Sequence, residues 1–528
     1  MKQSLLLMSA MAFAALAANA AHADVSISNK PTQNMSCNAG VCTATAQNAV
    51  LNVGDLQAML ASGDVTVKTG ALARDIDVDQ PLTWATTSRL TLDAQQSVIV
   101  NKPTTITGTG ALTIITDDGG KQGEFIIVPE HGSVQFWDLS SSLVINGDSY
   151  ALLKTVRQLA KAVKANSAGF YAFARNYDAA HDGNYSRSPV SQGFNGIFEG
   201  LGNVVSNLSI IDDHQSAITG LFFGNIGTIR DIGLSHVTVI ASGGRFSEVG
   251  GLVGRNFGSV IRCFAAGTVA VKKKGVVGGL VGHNISALVS NSSAAVAVSG
   301  GKYSNSGGLV GRNEGSIDRS HASGAVTGGT FAGGLVGSML QTGGVVTLSY
   351  ATGDVSGSGA IGGLVGVTGL PGGSFFIDQS FATGNVSGSG NLGGLMGWTD
   401  ASVTNSYAIG TVGGTDSSNV GGLIGKATAY FSQTYSTGTI TGGRGSNIGG
   451  FIGEDDRSFL QLDYWDLDAS GISDPGQGAG NIPNDPGITA LTDAQLKSAL
   501  PDGFDPKVWG SNPKINSGYP YLRANPPP

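Results

Sequence analysis

Apolar and polar residues alternate over short runs along most of this chain, and glycine closes nearly every run. Ser316-Ile-Asp-Arg-Ser-His-Ala-Ser-Gly-Ala-Val-Thr-Gly328 is one such line. Similar lines start at Val346, Ile377 and Val403 and end at Gly357, Gly388 and Gly414. Alternation over a few residues bounded by Gly predicts half-buried strands of about 4–6 residues. Between these lines one phrase returns. Gly-Gly-Leu-Val-Gly stands at Gly250–Gly254, Gly278–Gly282, Gly307–Gly311, Gly333–Gly337 and Gly362–Gly366. Variants follow at Gly393–Gly397, Gly421–Gly425 and Gly449–Gly453, and Gly220–Gly224 is a looser forerunner.

The Leu/Phe positions of the phrase are Leu252, Leu280, Leu309, Leu335, Leu364, Leu395, Leu423 and Phe451, in steps of 28, 29, 26, 29, 31, 28 and 28 residues. A fixed period of about 20–50 residues marks a solenoid, propeller or array. No unit carries an apolar stripe at helical spacing, which excludes helical repeats, and a propeller blade needs about 40–50 residues. The expectation is an all-β fold, a right-handed parallel β-helix (β-solenoid) of ~28-residue Gly-rich repeats. The eight Leu/Phe positions would stack as one internal ladder at about 4.8 Å, with Val253, Val281, Val310 and Val336 on its other face. Glycine would supply φ > 0 at the corners and let neighbouring backbones pass closely.

The same patterns divide the chain into expected regions. Residues 24–145 read as an irregular β region: a short helix at Asp55–Ala61, then runs near Val65, Arg89, Val98, Leu112, Phe125 and Val134. Ser149–Ala165 has Leu152, Leu153, Val156, Leu159, Ala160 and Val163 on one face, predicting a helix capped by Asp148 or Ser149. It is expected to lie in an insertion, 146–190, packed on the side of the solenoid. The repeats proper span 191–455. A capping segment, 456–528, holds a second helix at Thr492–Ala499, where Thr492 and Gln495 have capping-box spacing. Its aromatics Trp465, Trp509, Tyr519 and Tyr521 are expected to seal the last coil against end-to-end stacking.

The repeated phrase resembles the GLUG repeat of large bacterial surface proteins and filamentous-haemagglutinin-like adhesins. Gly196–Ile210 is similar to the line that precedes such repeats, and Tyr464–Gly471, Leu491–Lys497, Trp509 and Gly518–Leu522 to the tail that follows them. The resemblance covers roughly residues 80–522. It implies a secreted, elongated β-helical protein whose usual role is adhesion, with no catalytic residue to carry over. The Asn-Pro-Asn-Gly type motif of haemagglutinin secretion domains is not found, so a dedicated outer-membrane secretion partner is left open.

Composition narrows the partners. Gly 82 of 528 residues, 13% charged and 41% hydrophobic describe a turn-rich chain with a long core and sparse surface charge. Net charge −7 argues against nucleic acid or an anionic membrane. Lys272–Lys274 reads as a solvated corner. Residues 1–23 read as a secretory signal peptide: Lys2, an apolar Leu5–Leu16, and Ala21-His22-Ala23 as cleavage site. No stretch reaches the length of a transmembrane helix. In an exported protein Cys37 and Cys42 are expected to close a disulfide loop, and Cys263, where other units place Ser or Thr, to be a small buried residue.

Candidate chemistry is thin. Asp212-Asp213-His214 sets a carboxylate pair beside a base, and Asp455-Asp456-Arg457 and Asp117-Asp118 are lesser candidates; all three fall beside expected turns. His236, His283 and His321 lie in different units without zinc spacing, so no metal or cofactor is expected. Tyr350, Phe381, Tyr407 and Tyr435 share one register, either as filling inside the solenoid or as a carbohydrate-stacking strip. The expected function is a secreted or surface-exposed, non-catalytic adhesin or matrix protein. Its partners would be host-cell or matrix glycans and proteins, or copies of itself. The alternatives are a β-helical polysaccharide lyase or hydrolase, and a structural cell-envelope or biofilm component.

Overall fold

A computed structural model describes residues 24–528 except 121, 216, 245–246, 342 and 370–373. The expected signal peptide, 1–23, lies outside the described residues. The protein is a parallel β-solenoid. In one coil of the repeat region, Gly275–Gly278 leads through the Gly phrase into Val281–Ser290, and a corner turns the chain into Ser293–Gly300. Each segment pairs in parallel with its counterpart one coil on: Val277 with Ser306, Val281 with Val310, Ser293 with His321.

The Leu/Phe row stacks in register. Leu252 N–H donates to Leu280 O at 2.9 Å, Leu309 to Leu335 at 2.9 Å and Leu364 to Leu395 at 2.8 Å, and so on to Phe451. All eight side chains are fully buried. The Val row does not lie on an opposite face. Val253 N–H bonds the same Leu280 O, so the phrase bends there, alternation lapses, and both neighbours point into the core.

Glycine has one reason in this phrase. A Cβ on Gly334 would lie 2.0 Å from Gly363 O and 2.8 Å from the Ala351 methyl. The coil is thinnest there, and Ala322, Ala351, Ala382 and Ala408 face the glycines from the opposite wall. Glycine holds φ > 0 at some turns, such as Gly243 (79°) and Gly445 (72°), but contrary to expectation the left-handed corner that recurs between the two sheets is not glycine. Arg262, Asn291, Arg319, Leu348, Gln379, Asn405 and Gln433 hold φ of 44–57°. Each is followed by a small polar or thiol residue that pins the corner. Ser292 N–H donates to Ser320 Oγ, Ser320 to Ser349 and Ser349 to Ser380, at 3.1–3.2 Å. Cys263 occupies this row, buried, its N–H bonded to Ser292 Oγ; burial pushes its thiol up to about 12. A second buried row runs Asn225–Asn256–Asn284–Asn313, amide to amide at 2.8 Å.

The N-terminal region is a shorter stack of the same kind, with Val98–Val100, Ile76–Val78 and Val25–Ser28 parallel in one face and Ala49–Asn52 outermost. Helix α1 (Val53–Leu60), capped by the Asn52 side chain, buries Leu56 and Leu60 against this end. Cys37 and Cys42 form a disulfide across an antiparallel hairpin.

The two stacks meet at Asn146-Gly147, both with positive φ (50° and 88°). This turn sends Asp148–Leu153 back antiparallel to Ser142–Ile145, with Leu143 opposite Tyr150. The expected helix over Ser149–Ala165 is therefore shorter. Tyr150 and Leu152 face inward from a strand, and helix α2 spans Val156–Ala165, capped by Thr155. The insertion is narrower than 146–190, because Asp148–Leu153 and Phe170–Phe173 are rungs of the solenoid. Val134 and Phe136 N–H bond Leu201 and Ala174 O across the joint, and Arg262 reaches over it to Asp231, Glu124 and the Phe125 carbonyl.

At the far end Gln477–Gly480 imitates a ninth Gly phrase, with Phe451 and Ile452 N–H bonded to Gly478 O. Trp465 stands in the Ala row and fills the last coil beneath Gly450. Helix α3 (Leu467–Ser470), the strand Ile488–Leu491 and helix α4 (Asp493–Ser498) follow, the last closed by the Thr492/Gln495 capping box. No helix among the described residues is long and apolar enough to cross a membrane.

Candidate functional site

The acidic candidates are spent locally. Asp212 is buried and accepts from Thr219 Oγ1 at 2.9 Å, with His214 Nδ1 at 2.8 Å; His214 Nε2 meets Arg187. Asp213 points elsewhere, exposed beside Ser242 and Lys272. The two carboxylates have different partners. Asp117 accepts from Gln122 N–H and closes a turn. Asp455 accepts from Ser458 N–H at a turn, while burial and the neighbouring Asp455 carboxylate push Asp485 up to about 6.

Coil stacking assembles a charged cluster that sequence spacing did not reveal. Arg255, His283 and Arg312 are register partners on successive coils. Glu248 accepts from Arg255 Nε at 2.5 Å and lies 3.0 Å from His283 Nδ1; Glu314 lies 3.4 Å from His283 Nε2 and 2.5 Å from Arg312. Burial opposes the charge on Glu248, but the bonds from His283 and Arg255 hold its carboxyl below the usual range. The cluster links three coils through these charged contacts.

The column Tyr350, Phe381, Tyr407, Tyr435 is neither core filling nor an open strip. With His321 it forms one stack, rings 4.7–5.0 Å apart and parallel within 5°. The rings face outward, since the adjoining Ala322, Ala351, Ala382 and Ala408 point into the core. Residues 492–525 fold back over them as a strap. Trp509, Phe504 and Tyr519 join Phe381, Tyr407 and Tyr435 in a separate apolar cluster. Tyr435 Oη donates to Pro520 O, Trp509 Nε1 to Asn405, and Asn525 to the Ser349 and Gln379 carbonyls. Thus Trp509 and Tyr519 cover a flank, and Tyr521 pairs with Gly510 within the strap. Of the expected sealing aromatics, Trp465 alone fills the coil end.

A second aromatic column stays open. Val345, Phe376, Ser402, Tyr430 and Phe459 are register partners on the outer face of the adjacent sheet. Phe376, Tyr430 and Phe459 are 39%, 37% and 62% exposed, enough to place the rings in solvent. The only sequence signal was the alignment of the coils themselves, because the column is interrupted at Ser402.

Comparison with known proteins identifies a repeat motif in this chain. A model of the GLUG motif matches residues 302–327, the coil around Leu309. Over 110 residues the chain is 37% identical to halomucin of Haloquadratum walsbyi, a stretch that is 20% of this chain and 1% of that protein. A solved Bacteroides ovatus structure, named as a candidate immunoglobulin A1 protease, overlaps 71% of this chain and 92% of its own at 14% identity and a TM-score of 0.34. The chain carries a GLUG motif and is built as a repeat protein.

Proposed function

We propose that this chain is an exported, non-catalytic repeat protein of the bacterial surface or its matrix, acting as an adhesin. The observation that supports this most is the in-register stack of repeat coils, which sets Ser, Thr and aromatic side chains in rows along an outer sheet face. Such a face repeats weak contacts along its length and gains affinity by multivalency. Binding of beads coated with the full chain to cells and to immobilised matrix glycans and proteins tests it. Saturable attachment that rises more than proportionally with coating density is expected. Attachment absent at every density, together with turnover of an acidic polysaccharide that disappears in Asp212→Asn and Asp213→Asn, would replace it with an enzyme. Fractionation is expected to find the mature chain outside the cytoplasm.

A further inference from the structure

The open aromatic column has a gap of one rung. Phe376 stands two coils from Tyr430, with Ser402 between them, and Tyr430 stacks on Phe459 at 5.5 Å and 10°. On the covered flank, where no rung is missing, ring centres lie 4.7–5.0 Å apart. Two rungs therefore separate Phe376 from Tyr430 by about 10 Å, the height of one inserted ring. Ser402, outward and half-buried, forms the floor, because its neighbour Val403 is fully buried.

The adjoining outward column is Thr347, Asp378, Thr404, Ser432 and Gln461. Asp318 continues this column one rung beyond Thr347, and the charged member beside the slot is engaged: Asp378 accepts from Thr404 Oγ1 at 2.6 Å, Asn405 Nδ2 at 2.9 Å and Gln379 Nε2 at 3.0 Å. The slot is thus walled by apolar rings, floored by a hydroxyl and bordered by hydroxyls, an amide and one carboxylate.

We propose that this slot binds one pyranose ring of a neutral polysaccharide, held between Phe376 and Tyr430 with its hydroxyls toward Ser402 and the Thr404 column. Height admits one ring, and the border selects its kind. The covered column shows that a ring fits one rung. A pyranose, with axial C–H bonds projecting from its faces, can stack on aromatic rings at that height while its hydroxyls meet the Ser402 and Thr404 hydroxyls, which a flat apolar ring would leave unpaired. The neighbouring Asp378 carboxylate disfavours uronates and sulfated sugars. The proposal rests on the adhesin reading and gives it a ligand class.

Affinity electrophoresis of the full chain through gels containing linear neutral glucan, mannan or xylan tests it, with alginate as the acidic comparison. Retardation is expected in at least one neutral gel and not in alginate. Phe376→Ala and Tyr430→Ala should each weaken it about tenfold or more. Ser402→Phe is the sharper variant. It completes the column with a residue this register already carries at 376 and 459, so it should keep the melting temperature yet abolish retardation. Tyr303→Ala, an exposed aromatic outside the column, should change nothing. Equal or stronger retardation of Ser402→Phe would overturn the slot, since added aromatic surface would then be what binds. Absence of retardation in every neutral gel, with bead attachment retained, would overturn the slot alone; loss of both would overturn the adhesin reading as well.

Discussion

At the scale of single residues, the fold depends on positions where a side chain is fully enclosed or wholly forbidden. Leu335 has its neighbours Leu309 and Leu364 directly above and below it. Leu335→Ala should cost about 2–5 kcal/mol in denaturant unfolding, as buried Leu truncations do when the cavity cannot collapse. Gly334→Ala adds one carbon and should cost more, because the obstacles are a backbone carbonyl and a methyl on the opposite wall. A cost for Gly334→Ala below that of Leu335→Ala would contradict this packing. Two carboxyls carry a pH signature. Burial pushes Asp463 up to about 7, although Thr434 and Gln461 bond it. Burial, then the charges of Asp24, Asp79 and Asp75, push Asp77 up to about 7. Both folded values lie above the unfolded one, so the protonated form favours the fold; that contribution is full below about pH 4 and is lost as pH rises through 7. The melting temperature should therefore fall between pH 5 and pH 8, and the double variant Asp77→Asn/Asp463→Asn should flatten that slope. An unchanged slope would remove these two groups from the account.

At the scale of elements, sequence patterns were legible where the need recurs on every coil and illegible where it arises once. The phrase exposed the ladder because each Leu and each close-approach Gly is required at the same rung. The corners misled, because hydrogen bonds from the serine row let Arg, Asn and Gln adopt a conformation usually left to glycine. Tyr150 and Leu152 fit helical and strand periods alike. Asn146-Gly147, a strong hairpin signal, decides for the strand. The strap left no periodic trace, since its partners lie 25–176 residues back along the chain. It does yield a prediction. Trp509→Ala should uncover Tyr407 and Tyr435, lower the melting temperature by several degrees and raise binding of an apolar dye, while far-ultraviolet dichroism stays that of the wild type. Collapse of the strand signal would mean that the strap holds the coils together and does not merely cover them.

At the scale of the whole molecule, the protein is two stacks joined at one reversal, with the ends closed by α1 and by Trp465 with its following segments. Closed ends withhold strand edges from end-to-end growth. Any self-association would then use the flanks, where Phe376, Tyr430 and Phe459 are open. The charged cluster at Glu248, His283 and Glu314 belongs to this scale too. Its members are 31–66 residues apart in the chain, do not recur, and meet only because three coils stack.

The central claim is that each Gly-phrase repeat is one coil, paired in register with the next, and engineered cross-linking tests it directly. Thr327 and Ser356 are outward register partners whose hydroxyl oxygens lie 3.5 Å apart. The double variant Thr327→Cys/Ser356→Cys should form an intramolecular disulfide in nearly every molecule under mild oxidation, identified by peptide mapping. Thr327→Cys/Ser358→Cys, two residues out of register, should form little. Equal yields from the two pairs, or a bond only in the shifted one, would contradict the stacked coil on which the rest depends.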